Sequence, residues 1–538
     1  MPRVKTSGGR LLVLGFTGVL VLSSLVVLAV KNLGYTGIWW DETAQFWVSQ
    51  GLGNYSPPFA APRGVRDVVR MNRAENLDPG GFSVLLHFWS AHSRGLKWVR
   101  GLPFAFYLLG AASLGLLGWR LTRSAHFALA ASAVPFFYPA ALYFGFEIRA
   151  YSMEMAGVAI GVLALVHALE KPSVGRASLL GVTCAAFLTS RYSFVLFAAV
   201  LSFVFWRASG RHPDGRVTRW PQRLAVLLPV LLSAAAVWWI TLRHQLWAEM
   251  AGGWLGIVSP AYTRGSVLGH GANDLDLVWR NLFSPAALPL TACALFVALP
   301  RRRLYATMQG LPEAAELNRV RTVFTPLYAV ILGTQALSIV ASLLGAYPWD
   351  IASRWSAYLV MVSALAVIVL GAEIVVSLRV VLPGQAGPRS WEGVALTGTA
   401  VAFLVVAGGW FQALSYRQTV DPRHGTNVAL QVDRLPVASL PDGGVFVAFY
   451  EIPALRYLYE YGPYAGRSEY PKTYRFERRP EYRDNAPIDA GREGITFVVS
   501  NWPLPRARAR FPGFTLRAVA PDESRLLAVA CAGRPDGP

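Results

Sequence analysis

Long apolar runs broken by short basic clusters set the pattern of this chain. The runs 11–30, 101–119, 126–146, 150–169, 177–190, 192–206, 224–242, 281–300, 322–346, 355–378 and 393–415 are predominantly apolar. Most of them match the roughly 20 residues a helix needs to cross a bilayer core of about 30 Å. They predict a polytopic α-helical membrane protein with about 11 transmembrane helices. Leu11–Val30 follows a basic start, Met1–Arg10. It is longer than a signal-peptide core and no small-x-small site follows it, which reads as a retained anchor.

Between the first two runs lies an outer segment, 31–100, far longer than an ordinary connector. Glu42–Gln50 reads as a short helix. The stretch from Asp78 to Trp89 is too short to span and reads as a helix lying in the interface plane. After Tyr416 the hydropathy collapses. Val445–Tyr450 and Ile495–Ser500 have strand composition, and Ala454–Tyr461 reads as a helix between them. The expected organisation is a transmembrane domain, 1–415, and a small extracytoplasmic α/β domain, 416–538.

Charge fixes the expected orientation. The net charge of +19 would suit a nucleic-acid partner or an anionic membrane, but its distribution reports orientation and needs no nucleic-acid footprint. With the N-terminus inside, the cytoplasmic segments carry 19 Lys/Arg against 5 acids, whereas the tail after Ser415 holds 17 against 14. This is the positive-inside pattern. Both flanks of 177–206 are basic, so the region is expected as a hairpin with Ser190-Arg191-Tyr192 at its outer tip. Mean hydropathy is +0.38, and the three cysteines are scattered, without disulfide or zinc spacing. The composition fits a multi-pass protein of a bacterial inner membrane.

This topology gathers polar groups on the outer face: Asp41, Glu42, Asp78, Glu147, Arg149, Tyr151, Arg191, Tyr192, Asp350 and Arg354. Ionisable groups at membrane depth mark function or pairing. A carboxylate can take the proton of an attacking hydroxyl, and guanidinium groups suit a phosphate leaving group. Plainer roles exist for each. Asp41 is placed to cap a helix over 42–50, and Asp78-Pro79 has the form of a cap followed by a first-turn proline. The arginines can snorkel to the interface. His87 and His92 read as surface residues rather than metal ligands.

The chain resembles the GT-C class of polyprenyl-phosphate-sugar-dependent glycosyltransferases, among them bacterial relatives of protein O-mannosyltransferases and the lipid A aminoarabinose transferase. The resemblance rests on Asp41-Glu42, on Asp78-Pro79 with Leu85-Leu86-His87-Phe88-Trp89, on Arg100-Gly-Leu-Pro, on Glu147-x-Arg149-x-Tyr151-Ser152, and on Arg191-Tyr192. The order holds over residues 10–245, and Arg354-Trp355 adds a later match. Ala44 stands where some relatives carry a basic residue, and Pro79-Gly80 replaces a double proline.

The resemblance implies transfer of one sugar from a polyprenyl-phosphate donor to an outer acceptor (glycan, lipid or protein), with inversion and Asp41 as general base. Glu42 and Asp78 would orient acceptor or base, or hold a divalent metal ion if one is used. Arg149, Arg191 and Arg354 would hold the phosphate, with Glu147, Tyr151 and Tyr192 beside them. A transporter, a non-catalytic envelope assembly protein and an oligosaccharyltransferase are the competing classes. The one-sided placement of charge and the absence of a repeat disfavour a transporter.

Overall fold

The computed structural model describes residues 40–53, 59–209, 220–245, 287–298, 314–343, 357–381 and 452–461. It also describes short stretches at 445–447, 474–476, 497–499, 508–512, 515–518 and 528–531, and residues 33, 38 and 56. Expected runs 11–30 and 393–415, and Asp350 with Arg354, lie outside the described residues.

In chain order the main helices are α1 Trp40–Ser49, α2 Val65–Glu75, α3 Gly81–Ser90, α4 Leu96–Thr122, α5 Ala125–Ala133, α6 Pro139–Phe146 and α7 Tyr151–Glu170. They continue with α8 Val174–Phe187, α9 Phe194–Ser209, α10 Trp220–Val237, α11 Leu288–Ala298, α12 Ala314–Leu343, α13 Ala357–Val381 and α14 Ile452–Glu460. The chain divides into two compact units.

The first unit comprises Met1–Val30, Leu77–Phe82 and Pro103–Leu414. Among the described residues of the chain, five helices are long and apolar enough to cross a membrane: Leu96–Thr122, Tyr151–Glu170, Trp220–Gln245, Thr322–Ala341 and Ala357–Ser377. This is a multi-pass membrane protein. α8, α9 and α11 coincide with expected runs but are shorter apolar helices.

Helix α7 packs against α6, α8, α9, α12 and α13, and 78% of its apolar window is buried, against 17% for the span containing α10. α10 leaves Leu224, Leu228, Leu231 and Leu232 exposed. Such a continuous apolar face is a liability in water and an ordinary surface in lipid. The span ends in a π-turn, Trp238–Leu242, and a last helical turn, Arg243–Gln245.

One expected span is broken. Residues 126–146 form two helical pieces, Ala125–Phe137 and Ala140–Phe146, bent by 84°. The cause is local: Tyr138 precedes Pro139 and is extended, with φ −97° and ψ 106°. The ring of a proline disfavours the helical region for the residue before it.

The second unit comprises Lys31–Asn76, Ser83–Leu102 and Ser415–Pro538. Its strands are β1 Val445–Val447, β2 Tyr474–Phe476, β3 Phe497–Val499, β4 Thr515–Ala518 and β5 Ala528–Cys531. β1 lies between β2 and β3, parallel to both, with Val445 opposite Tyr474 and Phe497. β4 and β5 pair antiparallel. β1 and β3 fall inside the two stretches with strand composition, and α14 falls on the expected helix. Within this unit Trp89 and Trp98 stack at 4.6 Å, and each indole N–H donates to the other residue's carbonyl.

Candidate functional site

Two loops of the first unit meet through backbone. Gly80 has φ +98°, a conformation glycine adopts without steric cost. The helix therefore starts at Gly81 instead of at Pro79, and Asp78 is a loop residue, not the cap of a helix beginning at proline. The Gly81 N–H donates to the Thr189 carbonyl at 2.9 Å. A methyl group on Gly81 would sit 2.2 Å from Thr189 Oγ1 and 2.7 Å from its carbonyl oxygen. This close approach seats Asp78 against the turn 188–193 between α8 and α9.

That seating brings together charges distant in sequence. Arg191 Nε lies 3.4 Å from Asp78 Oδ1, and Arg149 Nη2 lies 3.5 Å from Asp78 Oδ2. Arg191 Nη1 is 3.7 Å from Glu154 Oε2, and the Ser193 hydroxyl donates to Glu154 Oε1. The Tyr151 ring lies 4.5 Å from the Arg191 guanidinium and 5.9 Å from that of Arg149. These are cation–π distances.

Two guanidiniums and two carboxylates thus share one buried cluster. Buried charges persist when they are paired. Arg191 is held by Asp78, Glu154 and Tyr151, with 6% of its side chain exposed, whereas 13% of the Arg149 side chain is exposed. Arg149 is the more accessible cation.

A polar relay extends the cluster. The Tyr192 hydroxyl donates to Gln245 Oε1 at 2.5 Å and lies 3.3 Å from Thr241 Oγ1. Gln245 Nε2 donates in turn to the Asp78 carbonyl at 3.2 Å. Glu147 is buried at the C-terminal end of α6, and its carbonyl accepts the Arg149 N–H at 2.6 Å.

Asp41 and Glu42 belong to the other unit. Both lie in the first turn of α1, so Asp41 is inside the helix instead of at its cap. Glu42 is 1% exposed. It accepts Arg100 Nε at 3.2 Å, and Arg100 Nη2 at 3.2 Å on Oε1 and 3.0 Å on Oε2. Arg100 is fully buried, so this is a desolvated two-pronged pair. Asp41 is only partly buried. The two neighbouring acids therefore differ: one is closed off by an arginine and the other is within reach of solvent. His87 lies against α1, with Nδ1 2.9 Å from the Ser49 carbonyl. Among the described residues, no group of three or more His, Cys, Asp or Glu side chains is placed to hold a metal ion.

No family model and no curated protein matches this chain. A solved structure does: the crystal structure of ArnT from Cupriavidus metallidurans bound to undecaprenyl phosphate. The match has a TM-score of 0.52 and covers 97% of this chain and 99% of that one, at 14% identity. The fold is GT-C-like.

Within this GT-C-like fold, the cluster contains four groups that the sequence pattern did not single out: Glu154, Ser193, Thr241 and Gln245. Glu154 had a signal, because it is a lone acid inside an apolar run. The other three are neutral and become visible only once the turn and the end of the α10 span are placed.

Proposed function

We propose that this protein is a membrane glycosyltransferase that moves one sugar from a polyprenyl-phosphate donor to an acceptor on the extracytoplasmic face. The observation that carries the reading is the fold likeness over nearly the whole chain to ArnT bound to undecaprenyl phosphate. The paired arginines at Asp78 support it chemically. A phosphate offers the same acceptor oxygens to a guanidinium as a carboxylate does.

In this reading Asp41 accepts the proton of the acceptor hydroxyl while that oxygen attacks the anomeric carbon. The bond from carbon to phosphate oxygen breaks, the lipid phosphate leaves with the electron pair, and the configuration inverts. Arg149 takes the growing phosphate charge. Arg191, braced by Asp78 and Glu154, holds the shape of the site. Glu42 keeps α1 in place through Arg100.

Arg149→Lys tests the phosphate role. Lysine keeps the charge but loses the planar two-pronged donor, and a bond to a charged group is worth about 1.5–3 kcal/mol. The expected result is a rise of roughly 10- to 100-fold in KM for the lipid-phosphate sugar, or an equivalent fall in kcat, with insertion unchanged. Parental kinetics with limiting donor for both Arg149→Lys and Arg149→Gln would remove Arg149 from the site.

Sidedness has its own test. Ser93 and Gly175 are both exposed, and nothing lies within 4 Å of a Cβ built at Gly175. In a background with Cys531→Ser, a membrane-impermeant thiol reagent on intact cells should label Ser93→Cys but not Gly175→Cys. Labelling at 175 would reverse the proposed orientation.

A further inference from the structure

The helix that carries Asp41 and Glu42 is gripped from the far end of the chain. On α1, the Trp47 indole N–H donates to the Pro453 carbonyl at 3.0 Å, a contact 406 residues apart. The Arg456 guanidinium stacks 3.7 Å from the Trp47 ring. The Phe46 ring meets Tyr457 edge-on at 4.8 Å. Tyr457 is fully buried and donates its hydroxyl to the Arg94 carbonyl at 2.7 Å. Phe46 is four residues after Glu42, one helical turn along the same face.

The same helix is held elsewhere by a polar set: Gln45 donates to Ser83 Oγ at 2.7 Å and accepts from Asn76 at 3.1 Å. Nothing in a glycosyl transfer requires these groups. What they share is that they fix the rotation and depth of one ten-residue helix. A helix that short has little stability of its own in isolation.

We propose that α14 is a positioning clamp for α1, so that the C-terminal segment sets the placement of Asp41 through Trp47 and Tyr457. The proposal rests on the reading of Asp41 as general base. Trp47 and Tyr457 are positioning residues, not catalytic ones. Tyr457→Phe removes only the hydroxyl given to Arg94. Trp47→Phe removes the N–H given to Pro453 and shrinks the surface beneath Arg456. Should Trp47→Phe fail to fold, the smaller change at Tyr457 carries the test.

The full chain in lipid nanodiscs is compared by hydrogen–deuterium exchange and by transfer kinetics. The expected result is exchange roughly fivefold or more faster in the peptide over Trp40–Ser49, with α13 unaffected. The kcat should fall roughly 10- to 100-fold, with KM for the donor unchanged. In an Asp41→Asn background the clamp substitution should add little further loss, because both act through one group. Parental exchange in α1 overturns the clamp, and so does a loss fully additive with Asp41→Asn. If Asp41→Asn alone keeps the parental rate, the base reading fails, and faster exchange in α1 would then establish the grip without its catalytic consequence.

Discussion

Asp41→Asn is expected to lower sugar transfer by roughly 10²–10⁴-fold, the usual contribution of a positioned general base. Asparagine keeps the size and hydrogen-bonding reach of aspartate but cannot take a proton at neutral pH. The change also removes one negative charge from the first turn of α1, where it interacts favourably with the helix dipole by about 0.3–1 kcal/mol. That loss is small, so expression and membrane insertion should match the parent. Initial rates with purified protein and saturating lipid-phosphate sugar measure the effect. A near-parental rate would leave Asp41 a helix-terminus charge and remove the proposed mechanism. Asp41 is favoured over Glu42 because Glu42 is buried against Arg100, while Asp41 is partly open.

Arg100→Gln should have the largest effect on stability. Arg100 and Glu42 are both desolvated. Removing one partner of a buried ion pair leaves an uncompensated charge and costs about 3–5 kcal/mol. The thermal unfolding midpoint in detergent or nanodiscs should fall accordingly, with less folded protein recovered. The double variant Arg100→Gln with Glu42→Gln replaces two charges with two amides and should recover much of the loss. If it recovers activity as well, the Glu42 carboxylate has no chemical part. Unfolding of Arg100→Gln at the parental temperature would show that the pair does not hold α1.

Hydropathy placed the helices well where a run was long and uniform, as at Tyr151–Glu170 and Ala357–Ser377. It failed at 126–146, because a windowed average of apolar residues does not register that Pro139 forces Tyr138 out of the helix. Of the charged and polar groups expected on the outer face, Asp78, Arg149, Tyr151 and Arg191 converge. Their neutral partners were not. Gln245 lies three residues past an expected span that ended at 242, and whether it faces Asp78 depends on the π-turn before it. The grip of α14 on α1 was out of reach for a different reason: no local pattern links residues 406 apart.

The close approach of Gly81 to Thr189 bears on how this protein can be engineered. Contact is backbone to backbone, with no room for a methyl group between the loops. The spacing of Asp78 and Arg191, which are 113 residues apart in sequence, is therefore set by main chain and not by side-chain fit. Swapping the 188–193 turn for that of another protein of this fold would mismatch the surface it rests on unless Asp78–Gly81 travelled with it. The two pieces form a single graft, and a chimera designer should treat them as one cassette.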